Sequence, residues 1–362
     1  MMFSPKTFYL KIKLLIKKRV HRQVDWRMIN SSSYFYAHKY CQGVKVKAAV
    51  IIQKDHPPIY GDFKEPIPGP DKSIVRVQAS SISQITKARA SATHYSSDNE
   101  VPFIPGFDGV GTLEDGSRVY FLLPINPFGA MAKLCLVDKK HCIQIPEVLD
   151  ADMVAAIAIP GMSSWAALVE QAQMTAGEIV LINGAGGISG RLAIQIAKYL
   201  GAKKIIAVAR RSSSFDDLHL LGADQCILLT EDSSAMENSF KSVCTQGVNI
   251  VLDYLWGSSA LSLVNSIAKN SPQDMLVRYV QIGSIAGATI PFSASVLRSS
   301  GLRLMGSGLG SLSIPAMLTS VSQVLKNVPT AGLKINIQQI PLSQVEASWN
   351  MTVSDTRTVL MI

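Results

Sequence analysis

Ile179-Val-Leu-Ile-Asn-Gly184-Ala-Gly-Gly187-Ile-Ser-Gly190-Arg-Leu-Ala-Ile-Gln-Ile-Ala-Lys-Tyr-Leu-Gly201, followed by Lys204-Ile-Ile-Ala-Val-Ala209-Arg-Arg211, is the stretch on which the reading of this chain turns. Ile179 to Asn183 is a short apolar run rich in β-branched residues, as a buried parallel strand requires. Gly184, Gly186, Gly187 and Gly190 then crowd the next seven residues. Leu192, Ile196 and Leu200 recur every four residues and mark one face of a helix that Gly201 closes. Lys204 to Ala209 is a second strand. Strand, glycine-rich turn, helix and strand make one βαβ unit.

Such a turn suits phosphate. Glycine lets the backbone bend tightly and approach a pyrophosphate, and the following helix presents unpaired N–H groups with partial positive charge. The spacing is Gly184-x-x-Gly187-x-x-Gly190, with Ala185 where the dinucleotide fingerprint G-x-G-x-x-G would have its first glycine. Gly184, Ala185, Gly187, Ile188 and Gly190 are therefore the candidate cofactor turn. The end of the second strand selects the nucleotide. NAD-selective sites place an acid there for the ribose 2′-hydroxyl. Here Arg210, Arg211 and Ser212 stand instead, and no acid appears before Asp216. Paired guanidinium groups suit a 2′-phosphate, so the expected cofactor is NADPH. Asp253 closes a later strand, where open α/β sheets bind ligands, and is a further candidate; a cap on the next helix is the alternative.

The rest of the chain bounds this reading. Its 362 residues suffice for two domains, and 48% are hydrophobic. The net charge is +9, yet residues 1–46 hold ten Lys or Arg against the single acid Asp25, so residues 47–362 are neutral. No nucleic-acid surface is expected. No uninterrupted apolar run reaches bilayer length, since Pro160, Gly161, Ser163 and Ser164 break up Met153–Ala167, and no membrane partner is expected. Cys41, Cys135, Cys142, Cys226 and Cys244 form no C-x-x-C, which fits free thiols in a reducing compartment. The expected location is the cytoplasm. The acid-poor, basic segment 1–46 leaves three readings open: an organelle transit peptide, which would make the location mitochondrial, a basic tail, or residues ahead of the domain.

Strands are predicted over Val46–Gln53 and Ile74–Ala79, with a Pro/Gly-rich connection between them and a short helix over Ser83–Ser91. Short strands around Gly109–Leu113, Arg118–Leu122, Ala130–Val137 and Cys142–Ile145 suggest a small β-barrel. Residues 150–173 read as helical with a break at Pro160-Gly161. After the βαβ unit, strands and helices alternate through a sixth strand near Leu302–Met305, implying a doubly wound parallel sheet. Residues 334–362 read as strand, helix, strand, returning to the first domain.

Pro105-Gly-Phe-Asp-Gly-Val-Gly111, Pro160-Gly-Met-Ser-Ser-Trp165, the glycine turn, Val251-Leu-Asp-Tyr254 and Val280-Gln-Ile-Gly-Ser284, in this order, resemble the medium-chain dehydrogenase/reductase superfamily. Within it the chain looks like the zinc-free quinone oxidoreductase branch. The resemblance implies a Rossmann domain, residues 159–301, inserted into a GroES-like β-barrel domain formed by 47–158 and 302–362, with a basic leader over 1–46. It implies NADPH giving a hydride to a quinone or to the C=C bond of an α,β-unsaturated carbonyl, in a protein that commonly forms homodimers. It places Ser163 where members often have a threonine near the nicotinamide, and Gly283 and Ser284 at the strand end beside that ring. Zinc-dependent relatives carry Cys at the Ser83 region and His-Glu where this chain has Phe107-Asp108, so no metal site is expected. Quinone reductases usually have Asn at the Ser83 position and often Tyr at the Ala88 position. Without zinc, Ser83, Tyr95 or backbone N–H groups must polarise the substrate oxygen. The alternative is an NADPH-binding sensor or scaffold without turnover. A short-chain dehydrogenase is disfavoured because Tyr199-x-x-x-Lys203 lies too close to the turn. A serine hydrolase is disfavoured because Gly187-Ile-Ser-Gly-Arg191 lacks the last glycine of its motif.

Overall fold

The computed structural model describes residues 45–94, 97, 100–351 and 355–362. The leader reading therefore lies outside the described residues, except that Lys45 and Val46 already belong to the first strand. The chain opens with β1 (Lys45–Val50), β2 (Ile59–Lys64), β3 (Lys72–Ser81), the short helix α1 (Gln84–Ala90), β4 (Asp108–Thr112), β5 (Arg118–Leu122), β6 (Leu134–Asp138) and β7 (Cys142–Gln144). The long helix α2 (Ala151–Ala166) leads into the second half. There β8 (Ile179–Asn183), α3 (Ile188–Tyr199), β9 (Lys204–Ala209), α4 (Phe215–Leu221), β10 (Gln225–Leu228), α5 (Ser233–Gln246), β11 (Ile250–Asp253), α6 (Gly257–Asn270), β12 (Leu276–Gln281), α7 (Ala294–Arg298) and β13 (Gly301–Gly306) alternate. α8 (Ile314–Ala331), β14 (Asn336–Pro341), α9 (Val345–Ser348) and β15 (Thr356–Met361) complete the chain.

Two larger sheets result. The six-stranded sheet has the order β10-β9-β8-β11-β12-β13. All its pairings are parallel, and α3, α4, α5, α6 and α7 lie in the five crossovers. This is the doubly wound Rossmann arrangement, with the order reversing between β8 and β11. The other sheet runs β14-β15-β3-β4-β5-β7, with β6 also paired to β3, and is antiparallel apart from β14–β15. β15 returns 280 residues along the chain to pair with β3, Leu360 opposite Ser80, so both chain halves build the barrel sheet. β1 and β2 form a separate hairpin.

Three local readings are corrected. The Pro/Gly-rich connection between the first two predicted strands contains β2, in register with β1 from Val46↔Phe63 to Val50↔Ile59; the flanking prolines obscured the alternation of Ile59-Tyr-Gly-Asp-Phe63. The expected break at Pro160-Gly161 does not occur, for α2 passes through both residues. Proline removes only one helical hydrogen bond, and a Cβ at Gly161 would lie 2.7 Å from Val324 Cγ1, so glycine lets α8 pack directly onto this turn. The helix instead widens into a π-helical turn, Ala167–Gln171. Because it is continuous, Ala151–Gln171 is long and apolar enough to span a bilayer, yet 72% of its most apolar window is buried inside the fold. It is the helix on which the core between the two sheets is assembled.

Candidate active site

The C-terminal edge of the parallel sheet brings the predicted cofactor residues together. Asn183 at the end of β8 lies in register with Val208 of β9 and Asp253 of β11, and Asp253 lies opposite Gln281 of β12. The four turn glycines then separate into two kinds. Gly184 has φ +96°, and a Cβ there would meet the Leu255 side chain at 3.1 Å. A Cβ on Gly190 would stand 2.4 Å from the Gly184 carbonyl oxygen. The fold itself demands these two. Gly186 and Gly187 meet nothing closer than 3.5 and 3.7 Å, so their missing side chains leave a cradle the protein does not fill. Gly187 is also the N-cap of α3 and has no side chain to take up the first-turn N–H groups. By contrast, Asp232 caps α5 by accepting from Ser234 N and Ala235 N. A bare helix N-terminus behind an unfilled cradle fits a pyrophosphate.

Ile188 begins α3 and is half-buried. Ala185 is placed differently from the sequence reading. Its side chain is fully buried, and its N–H donates to Val208 O at 2.9 Å, because the turn is pinned to β9. It shapes the cradle without facing it. Arg210 and Arg211 follow β9 directly and are both exposed. Arg191 is a basic residue the sequence reading missed. It is one residue beyond the last turn glycine, its side chain 13% exposed. Nε donates to Gly186 O at 3.3 Å, and Nη2 pairs with Asp217 at 3.3 Å. A third arginine therefore braces the glycine that borders the cradle. Its helical position disguised it as an ordinary solvated residue.

Asp253 is also corrected. It is fully buried, and protein donors close both carboxylate oxygens. Oδ1 accepts from Asn183 Nδ2 (2.9 Å), Leu255 N (2.9 Å) and Trp256 N (3.1 Å), and Oδ2 accepts from Tyr279 OH (2.8 Å). Burial raises its pKa against the pull of these donors. Asp253 thus clamps the Tyr254–Gly257 loop and does not reach into the cleft. The loop needs a clamp: Trp256 has φ 60° and ψ −154°, a conformation essentially reserved for glycine and costing of order 1–3 kcal/mol. Gly283 packs against this loop, where a Cβ would meet Tyr254 O at 2.5 Å. Ser284 beside it is exposed.

Ser163 lies inside α2, because the helix does not break. It is half-buried, and its neighbour Ser164 ties this turn to the site. Tyr254 OH and Ser164 Oγ are 2.8 Å apart, and Ser164 Oγ also lies 3.0 Å from Ser189 O at the start of α3. One hydroxyl thus fixes α2 to the phosphate turn and to the loop after β11.

On the barrel side, Ser83 is the N-cap of α1. Its Oγ accepts from Thr86 N at 3.2 Å and lies 2.8 Å from Thr86 Oγ1, and the residue is 2% exposed. Tyr95 lies outside the described residues. Asp108, two residues beyond Gly106, is fully buried among Tyr120 and Arg357, and neither of its oxygens has a donor at hydrogen-bonding geometry among the described residues. Burial pushes its carboxyl up to about 7, against the pull of Tyr120 and Arg357. Arg357 Nη1 donates to Ile82 O, which holds the turn into Ser83 from beneath.

Residues 190–326 match the family model described as zinc-binding dehydrogenase. A probable NADPH-dependent quinone reductase of Emericella nidulans is 25% identical over 336 residues, covering 81% of this chain and 92% of its own. A mycobacterial quinone oxidoreductase superposes with a TM-score of 0.75 at 17% identity, over 88% of this chain and all of its own. A mycobacterial protein solved with NADPH superposes with a TM-score of 0.72 at 18% identity, over the same shares. The chain is thus similar to zinc-type alcohol dehydrogenase-like, medium-chain dehydrogenase/reductase proteins and, among them, to quinone reductases. Outside the matched residues, Ser83 caps a helix and Asp108 is enclosed with Tyr120 and Arg357. Among the described residues no three His, Cys, Asp or Glu side chains cluster as metal ligands.

Proposed function

We propose that the protein reduces a quinone, or the C=C bond of an α,β-unsaturated carbonyl, using NADPH and no zinc. The observation that carries this reading is the unfilled cradle at Gly186 and Gly187, set against the uncapped start of α3 and next to a strand end bearing Arg210 and Arg211. A bound nicotinamide supplies the hydride. The chain's own residues orient and bind. Backbone N–H groups of the first turn of α3 hold the pyrophosphate, and Arg210 and Arg211 hold the 2′-phosphate. Ser163 is the candidate hydroxyl left half-exposed at the junction of α2 with the phosphate turn, and it orients the nicotinamide or the substrate oxygen. No described side chain is placed as an obvious acid, so solvent delivers the proton. The relative in Emericella nidulans, described as NADPH-dependent, supports the cofactor assignment. The substitution of Cys and His-Glu by Ser83 and Phe107-Asp108 supports zinc independence. The open edge of β13, where Leu304 is 39% exposed, supports a homodimer joined through that strand.

Ser83 favours a second reading. Its hydroxyl is engaged by Thr86, which removes one expected substrate donor and fits a protein that binds NADPH without turnover. NADPH oxidation with quinones and enones as acceptors separates the two. Acceptor-dependent turnover that survives chelator treatment supports the reductase. Tight NADPH binding with no acceptor consumed establishes the sensor instead.

A further inference from the structure

We propose that Trp256 is the platform on which the purine base of the dinucleotide stacks, an assignment that rests on the dinucleotide reading above. The first observation is the backbone. Trp256 occupies φ 60°, ψ −154°, where glycine is at ease and a bulky side chain is not. The next residue, Gly257, has φ +67°, and a Cβ there would lie 2.6 Å from Ala286 O. Glycine at 256 would relax the loop, yet the chain carries its largest side chain there. A buried cluster holds it in place: Asp253 accepts from Trp256 N, and Asn183 and Tyr279 in turn hold Asp253.

Location is the second observation. Trp256 is the N-cap of α6, directly after β11, at the edge where the strand order reverses. Its half-buried side chain packs on the core cluster that includes Ile227 of β10 and borders Leu229. With pyrophosphate at Gly186–Gly187 and the 2′-phosphate at Arg210–Arg211, the base must extend past the end of β9 toward β10. The loops after β9 and β10, with the loop after β11 across β8 from them, edge that end of the sheet. They contain two aromatic rings, and the Tyr254 hydroxyl is fixed to Ser164. Trp256 is left to offer a ring face, and stacking is how proteins hold a base without reading its edge.

The test is equilibrium binding of adenosine 2′,5′-bisphosphate, which carries the base and both phosphates but no nicotinamide, to the full chain. Trp256→Leu keeps apolar bulk without a ring face, and Trp256→Gly relieves the backbone. Both should weaken binding ~10-fold, while Trp256→Phe keeps most of the affinity. The melting temperature of ligand-free Trp256→Gly should equal or exceed that of the wild type. If Trp256→Gly fails to fold, the Leu and Phe variants carry the comparison. Wild-type affinity in Trp256→Leu overturns the stacking assignment alone. Failure of the wild type to bind the bisphosphate overturns the dinucleotide reading and this proposal with it.

Discussion

The Gly184–Gly190 turn and the Ser83–Asp108 region both drew attention in the sequence, and folding treats them in opposite ways. At the turn the chain leaves polar groups open: Gly187 caps α3 without a side chain, and Gly186 and Gly187 leave space unfilled. In the barrel the polar groups are buried instead. Ser83 spends its hydroxyl capping α1, and Asp108 is enclosed beside Tyr120 and Arg357 with no hydrogen-bond donor to either oxygen among the described residues. An open helix end and empty space are features a ligand can complete. A satisfied cap is a feature the fold has already used. The comparison therefore assigns recognition to the Rossmann half with more force than it assigns chemistry to the barrel half.

The largest expected effect breaks the turn itself. Gly190→Val drives a side chain into the Gly184 carbonyl and the Ala185 backbone, contacts already at 2.4 and 2.6 Å for Cβ alone. It should abolish nucleotide binding and lower the melting temperature. Gly187→Ala has a φ of −81° and only a 3.7 Å contact. It should leave the melting temperature unchanged while weakening NADPH. Equal stability losses in both variants would show that the cradle is merely a structural turn.

A smaller effect probes the barrel side. The Asp108 carboxyl sits near 7 in the folded protein and near 4 when unfolded. Between these values the folded state holds a proton that the unfolded state has lost. Stability therefore falls as pH rises from ~4 to ~7. Asp108→Asn removes this dependence, so thermal melts should shift in the variant's favour as pH is raised from ~5 to ~7.5. A pH-independent difference between variant and wild type contradicts a buried, protonated carboxyl.

The Rossmann half was legible because its signals are local. A continuous apolar run gives way to 3.6 periodicity after the glycine turn, and Ile179–Asn183 and Lys204–Ala209 form the strands predicted from their β-branched runs. The barrel was less legible because its pairings are distant: β15 completes a sheet begun by β3, and β2 hid between prolines. Arg191 was missed because its partners, Gly186 and Asp217, meet it only in three dimensions. Asp253 was misread because strand position reveals where a carboxylate stands, whereas the donors that enclose it come from Asn183, Tyr279 and its own loop. The strain at Trp256 has no sequence signature at all.

The most direct test of the account is the equilibrium dissociation constant for NADPH and for NADH, in the wild type and in Arg210→Asp/Arg211→Ser. The account predicts that the wild type prefers NADPH by roughly 10- to 100-fold, the worth of one or two charge-assisted hydrogen bonds, and that the variant loses this preference while NADH binding holds. Equal affinity for the two nucleotides in the wild type, or an equal loss of both in the variant, would contradict it.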